Sequence, residues 1–181
     1  MVFRLLLLLA LALPASAAEV AGVTIADKDG ALVLNGAGLR KRAFFQVYAI
    51  GLYLPEKKTA AADAIGATGA KRVVMHMLRD VGADQFGEAL TDGMKENHSE
   101  AEMKALEPRV KQLSAIMAEM KEAKKGMRIT LDWTPAGTQV TVNGKASGAP
   151  IPGEDFYRAL LRIWLGDKPV QDDLKKALLG G

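Results

Sequence analysis

One segment, Phe44 to Leu54, constrains what this chain can fold into more than any other. Read with a period of two, Phe44, Tyr48, Ile50, Leu52 and Leu54 fall on one face, and Phe45, Val47, Ala49, Gly51 and Tyr53 on the other. Gln46 is its polar exception. A strand that is apolar on both faces must be covered on both, or must line a cavity. Pro55 has no amide hydrogen for a ladder and ends the strand. Just upstream, Asn35-Gly-Ala-Gly-Leu-Arg-Lys-Arg42 reads as a glycine-rich loop carrying Arg40 and Arg42. A guanidinium held beside a greasy strand can grip the polar head of a ligand whose tail is apolar.

The N-terminus reads as a leader. Met1 to Arg4 is short and basic, Leu5 to Leu13 is an apolar run too short to span a bilayer, and Pro14 breaks it. Ala15-Ser16-Ala17 offers the small side chains a signal peptidase accepts. Residues 1–17 are therefore expected to be removed on export, with a Gram-negative periplasm as the destination and no membrane span left behind. Residues 18–181 make one domain by length, large enough to bury a core.

The chain has no cysteine, so it has no disulfide framework, no lipobox and no thiol chemistry. Two histidines, His76 and His98, show no ligand spacing and read as structural. Asp132 and Asp167 read as turn or edge residues rather than a catalytic pair. A net charge of +3 scattered along the chain, with 6% aromatics, gives little basis for nucleic-acid binding. There is no phosphate loop, dinucleotide fingerprint or nucleophile elbow, and no cofactor is expected.

The remaining pattern supplies strands and helices. Val20 to Ile25 reads as a strand, and Asp27 to Gly30 as a turn into Ala31 to Leu34. Thr59 to Gly69 holds a short helix, and Arg72 to Leu78 is a strand. Asp84 to Asn97 is a helix with Phe86, Leu90 and Met94 on one side. Ser99 and Glu102 form a capping box that opens a second helix. In it Met103, Leu106, Val110, Leu113, Met117 and Met120 make a stripe, which either packs on the sheet or lines a deformable cavity. Pro108 is expected to kink or restart this helix, and Gly126 to stop it. Met127 to Trp133 and Gln139 to Val142 are strands, with Asn143-Gly144 as a type I′ hairpin. Helices over Gly153 to Leu165 and Asp172 to Leu179 close the chain. Strands outnumber crossover units, so the fold class is α+β, a large antiparallel sheet with helices on one face.

Two stretches resemble a known family. Gly36-x-Gly-x-Arg40 followed by Gln-Val-Tyr-Ala-Ile-Gly-Leu-Tyr-Leu, and Arg-Ile-Trp-Leu-Gly-Asp-Lys-Pro-Val near the end, are similar to the chalcone isomerase family. The resemblance runs from about Gly30 to Leu179 and implies an open-faced β-sandwich. It implies that Arg40 faces a ligand cleft and that Tyr48 completes a carboxylate clamp, as in the fatty-acid-binding branch. Arg42 is the spare cation, while Tyr53 and Phe86 are further candidates for the cleft wall. In the isomerases a tyrosine and an asparagine lie on the helix matching Asp84 to Asn97. Here those positions are Phe86 and Gly93, which offer no side-chain donor. Losing preorganised donors removes the effect that usually dominates catalysis.

Three functions follow as expectations. The first is a non-catalytic binder of a fatty acid or similar amphipathic anion. The second is an intramolecular lyase on a phenolic or enone substrate, with Tyr53, Arg79 or Asn97 as replacement donors. The third is an envelope interaction protein that keeps the fold without a ligand.

Overall fold

The long apolar segment lies within a seven-stranded antiparallel sheet. The structure is a computed structural model that describes residues 17–181. Its strands are β1 (Ala17–Val20), β2 (Val23–Ala26), β3 (Lys28–Asp29), β4 (Leu32–Arg42), β5 (Phe45–Leu54), β6 (Lys71–Met77), β7 (Val81–Gly82), β8 (Glu122–Ala123), β9 (Arg128–Thr134), β10 (Gly137–Val142) and β11 (Lys145–Ile151). Its helices are α1 (Ala61–Gly66), α2 (Ala83–Glu96), α3 (Glu100–Glu119), α4 (Glu154–Leu165) and α5 (Asp172–Leu178). The large sheet runs β11-β10-β9-β6-β5-β4-β3, while β1 with β2 and β7 with β8 form separate two-stranded ribbons. The expected leader, residues 1–17, lies outside the described residues except for Ala17, the first residue of β1.

Both faces of β5 are covered, as its composition requires. Ile50, Leu52 and Leu54 pack with Phe86, Leu90, Phe156, Leu160 and Trp164 in the helical layer. Ala49 and Tyr53 pack on the other face with Ile25 of β2 and Val74. Each fully buried large side chain contributes about 1.5–3 kcal/mol, which lets the fold stand without disulfides. The α3 stripe joins the helical core through Leu106, Val110, Leu113 and Met117.

Several local expectations are corrected. Val20 to Ile25 is not one strand: Val20 ends β1, Ala21 and Gly22 turn, and Val23 to Ile25 lie in β2. Ala21 (φ 49°) and Gly22 (φ 78°) take the left-handed region there, a conformation alanine rarely signals. Asn35 to Arg42 is not a loop but the body of β4. Its glycines serve packing: a Cβ on Gly36 would strike the Ala177 carbonyl, and one on Gly38 would lie 2.6 Å from Leu174 Cδ1. They let α5 lie against the strand. Buried Asn35 reinforces the seat by donating to the Leu178 carbonyl (2.7 Å). Pro108 neither breaks nor restarts α3, which is continuous behind its Ser99–Glu102 capping box. The helix ends before Lys121 (φ 61°), earlier than Gly126. The Asn143-Gly144 turn has positive φ at both residues (49° and 79°), as a type I′ hairpin demands.

The last correction shapes the site. Arg40 pairs with Tyr48, but Lys41 pairs with Gln46, so Val47 is an extra residue in β5. A bulge of this kind breaks strict alternation and re-aims the neighbouring side chains.

Candidate functional site

A cavity of about 380 Å³ opens where β5 begins, β4 and β6 end, and α2 starts. Its wall is built from Phe45, Val47 and Tyr48 of β5, Phe86 and Leu90 of α2, and Ile163 of α4. Under strict alternation Phe45 and Val47 would face away from Tyr48. The bulge brings all three to one side. Phe86 and Leu90, one helical turn apart, present their apolar side to the same space.

The rim is cationic. Arg40, Arg42 and Arg79 all line the cavity, with Asp80 as the carboxylate among the lining residues. Asp80 already accepts the Lys125 amide at 2.7 Å. Arg79 lies 4.2 Å above the Phe45 ring, a stacking worth about 0.5–1 kcal/mol at an exposed site. Arg40 is steadied from behind: its Nη1 donates to the Val170 carbonyl (3.1 Å), the Lys41 carbonyl (2.6 Å) and Gln171 Oε1 (3.4 Å). Gln171 in turn accepts the Lys41 amide (2.8 Å) and donates to the Leu39 carbonyl (3.0 Å). These bonds occupy one guanidinium nitrogen and hold the group at the cavity edge. The other two remain for a carboxylate.

Tyr48 is buried opposite Arg40 in the ladder. Its hydroxyl oxygen accepts the Trp164 indole N–H at 3.0 Å, so its own proton is still available to donate. Burial pushes its pKa above 10, offset in part by the Trp164 bond and the Arg40 charge. Tyr48 therefore stays a donor at neutral pH. It meets Phe86 edge-on, with centroids 6.4 Å apart at 83°.

The structure thus gathers Arg40, Arg42, Tyr48 and Phe86 in one cavity and leaves Tyr53 out. Tyr53 lies under the β1–β2 hairpin, where its hydroxyl donates to the Ala26 carbonyl at 2.8 Å. Of the other donors weighed for catalysis, Asn97 is spent on the Gly93 and Lys168 carbonyls, and Arg79 alone reaches the cavity. Gly93 has a packing reason to be glycine. A Cβ there would sit 2.8 Å from Ile163 Cγ2, so the close α2–α4 contact excludes an asparagine. His98 bonds the Met94 carbonyl through Nδ1 (2.8 Å), and His76 lies on β6, its pKa lowered by burial and by Arg128. Arg79 is foreseen only as a replacement donor for a lyase, and Val47, Leu90 and Ile163 carry no ligand role in the sequence pattern. Leu90 was legible as the i+4 partner of Phe86. Val47 depended on the bulge, and Ile163 on a distant helix.

Sheet, helical layer and cavity together define an open-faced β-sandwich with a cation-rimmed cleft. The chain belongs to the chalcone isomerase-like family, whose model matches residues 17–180. Among solved structures it is similar to a fatty-acid-binding protein of Arabidopsis thaliana. The two share 15% identity and a TM-score of 0.70, over 87% of this chain and 92% of that one. That likeness is one of fold. No curated protein matches the chain by sequence.

Proposed function

We propose that the chain is a non-catalytic binder of a fatty acid or a similar amphipathic anion. The observation that carries this reading is an apolar cavity with three guanidinium groups and a buried tyrosine donor at one end. Arg40 and Tyr48 take the carboxylate, Arg42 and Arg79 add attraction, and the tail runs past Val47, Phe86 and Leu90. The volume sits near the small end of the roughly 300–1,000 Å³ range of ligand pockets, which suits a medium-length tail. The fatty-acid-binding neighbour of shared fold adds support. The leader-like residues 1–17 support a periplasmic workplace for the protein.

A lyase role draws less support, because Phe86 and Gly93 bring no donors and Tyr53 and Asn97 point their donors elsewhere. The test is direct. Native mass spectrometry of purified protein is expected to show bound acyl species, and delipidated protein is expected to bind a medium-chain fatty acid at micromolar concentration. No binding at that concentration would sink the reading.

A further inference from the structure

The hairpin joining β4 to β5 carries an unusual tip. Phe44 is 95% exposed and Phe45 55% exposed, and among the described residues these are the exposed large hydrophobics. A scattered apolar side chain on a surface is ordinary. Two adjacent phenylalanines at one hairpin end, beside Arg40, Lys41, Arg42 and Arg79, are a different case. None of these four cations pairs with a carboxylate among the described residues. Each of the ion pairs found there lies elsewhere. Ala43 holds the turn at φ 52°, so Phe44 projects from a tight two-residue loop.

We infer that this tip is a docking surface for an anionic lipid bilayer. The chemistry matches on two counts: exposed aromatic rings suit the boundary between headgroups and acyl chains, and a cluster of unpaired cations suits anionic headgroups. A second copy of this chain fits worse, because apposed tips would bring like charges together. No helix among the described residues is long and apolar enough to cross a membrane, so the contact is peripheral. Position gives it a purpose. Phe45, Arg42 and Arg79 belong both to the tip and to the cavity rim, so a docked molecule sets its cavity mouth against the bilayer. That purpose rests on the fatty-acid reading, while the docking itself does not.

The test is flotation with vesicles of phosphatidylcholine, with and without phosphatidylglycerol, at low and high salt. The unaltered chain is compared with a Phe44→Ser, Lys41→Gln double variant. Neither side chain lines the cavity, and both proteins keep the same N-terminus, so a difference reports the tip. The unaltered protein is expected to float with the anionic vesicles and less with the neutral ones, and to be released by salt. The variant is expected to partition about tenfold more weakly, with acyl retention in native mass spectrometry unchanged. Equal partitioning of the two proteins overturns the proposal. So does a variant that changes the molecular mass in solution without changing vesicle binding, which would make the tip a self-association surface. Absence of bound acyl species from the unaltered protein, with the vesicle-binding difference between the two proteins as expected, would instead remove the fatty-acid reading and leave the docking surface.

Discussion

Tyr48 and Tyr53 sit on the same strand and are both buried, yet they face different worlds. Tyr53 is sealed beneath the β1–β2 hairpin, its hydroxyl spent on a main-chain carbonyl. Tyr48 faces the helical layer, accepts from Trp164 and borders a cavity. The two short strands of the hairpin close their face over Ile25, Ala49 and Val74. On the other side the cover of α2 and α4 leaves a gap at the start of β5, where the bulge turns Val47 inward. Equal hydrophobicity on two faces of a strand thus does not imply equal function. What decides is the shape of the element laid over each face.

Substitutions can break this contrast. Arg40→Ala should have the largest effect, lowering acyl affinity about tenfold to a hundredfold. That range corresponds to one charge-assisted bond of roughly 1.5–3 kcal/mol, and calorimetric titration would read it. Unchanged affinity would move the clamp to Arg42 and Arg79. Tyr48→Phe comes next, with affinity expected to fall about fivefold. The variant also strands the buried Trp164 N–H, at a cost of about 1–3 kcal/mol of stability in urea unfolding. Tyr53→Phe is expected to cost only about 1 kcal/mol of stability and to leave affinity untouched. If it weakened binding as much as Tyr48→Phe does, the division between the two faces would be wrong.

The smallest effect should come from alkaline pH. Burial raises the pKa of Tyr48, of Tyr53 and, most strongly, of Tyr157. For Tyr53 the nearby Asp29 charge adds to the rise. These are the three tyrosines of the chain. A phenol whose folded pKa exceeds its unfolded value of about 10 stabilises the fold fully below that pH. The contribution is lost as pH climbs from about 10 through the folded value. Stability followed by circular dichroism should therefore drop above pH 10, and each Tyr→Phe change at position 48 or 53 should flatten part of that drop. A slope identical in all variants would contradict the burial of these hydroxyls.

The sequence made some of this visible and hid the rest for identifiable reasons. The Ser99–Glu102 capping box, the Asn143-Gly144 hairpin and the two-faced β5 are local signals, and each has its counterpart in the structure. Arg40 and Tyr48 could be named because they lie close together in the chain, and the ladder sets them opposite one another. The glycines at 36 and 38 misled, since a turn and a close helix approach call for the same missing side chain, and α5 is far away in sequence. Tyr53 was placed by strand parity, which fixed its face but could not say which cover left a hole. Arg79, Ile163 and Val170 reach the cavity from three separate elements or loops, and no local pattern announces that convergence.

Gln171 ties this convergence to the making of the protein. It comes after all eleven β-strands have been synthesised, and it grips both Arg40 and the backbone of β4. Until that side chain leaves the ribosome the sheet can pair, but Arg40 lacks the Gln171 part of its brace. A protease that clipped the chain just before Gln171 would take the brace away with α5, so the cavity's cationic edge is completed last in synthesis and is the first feature lost to trimming.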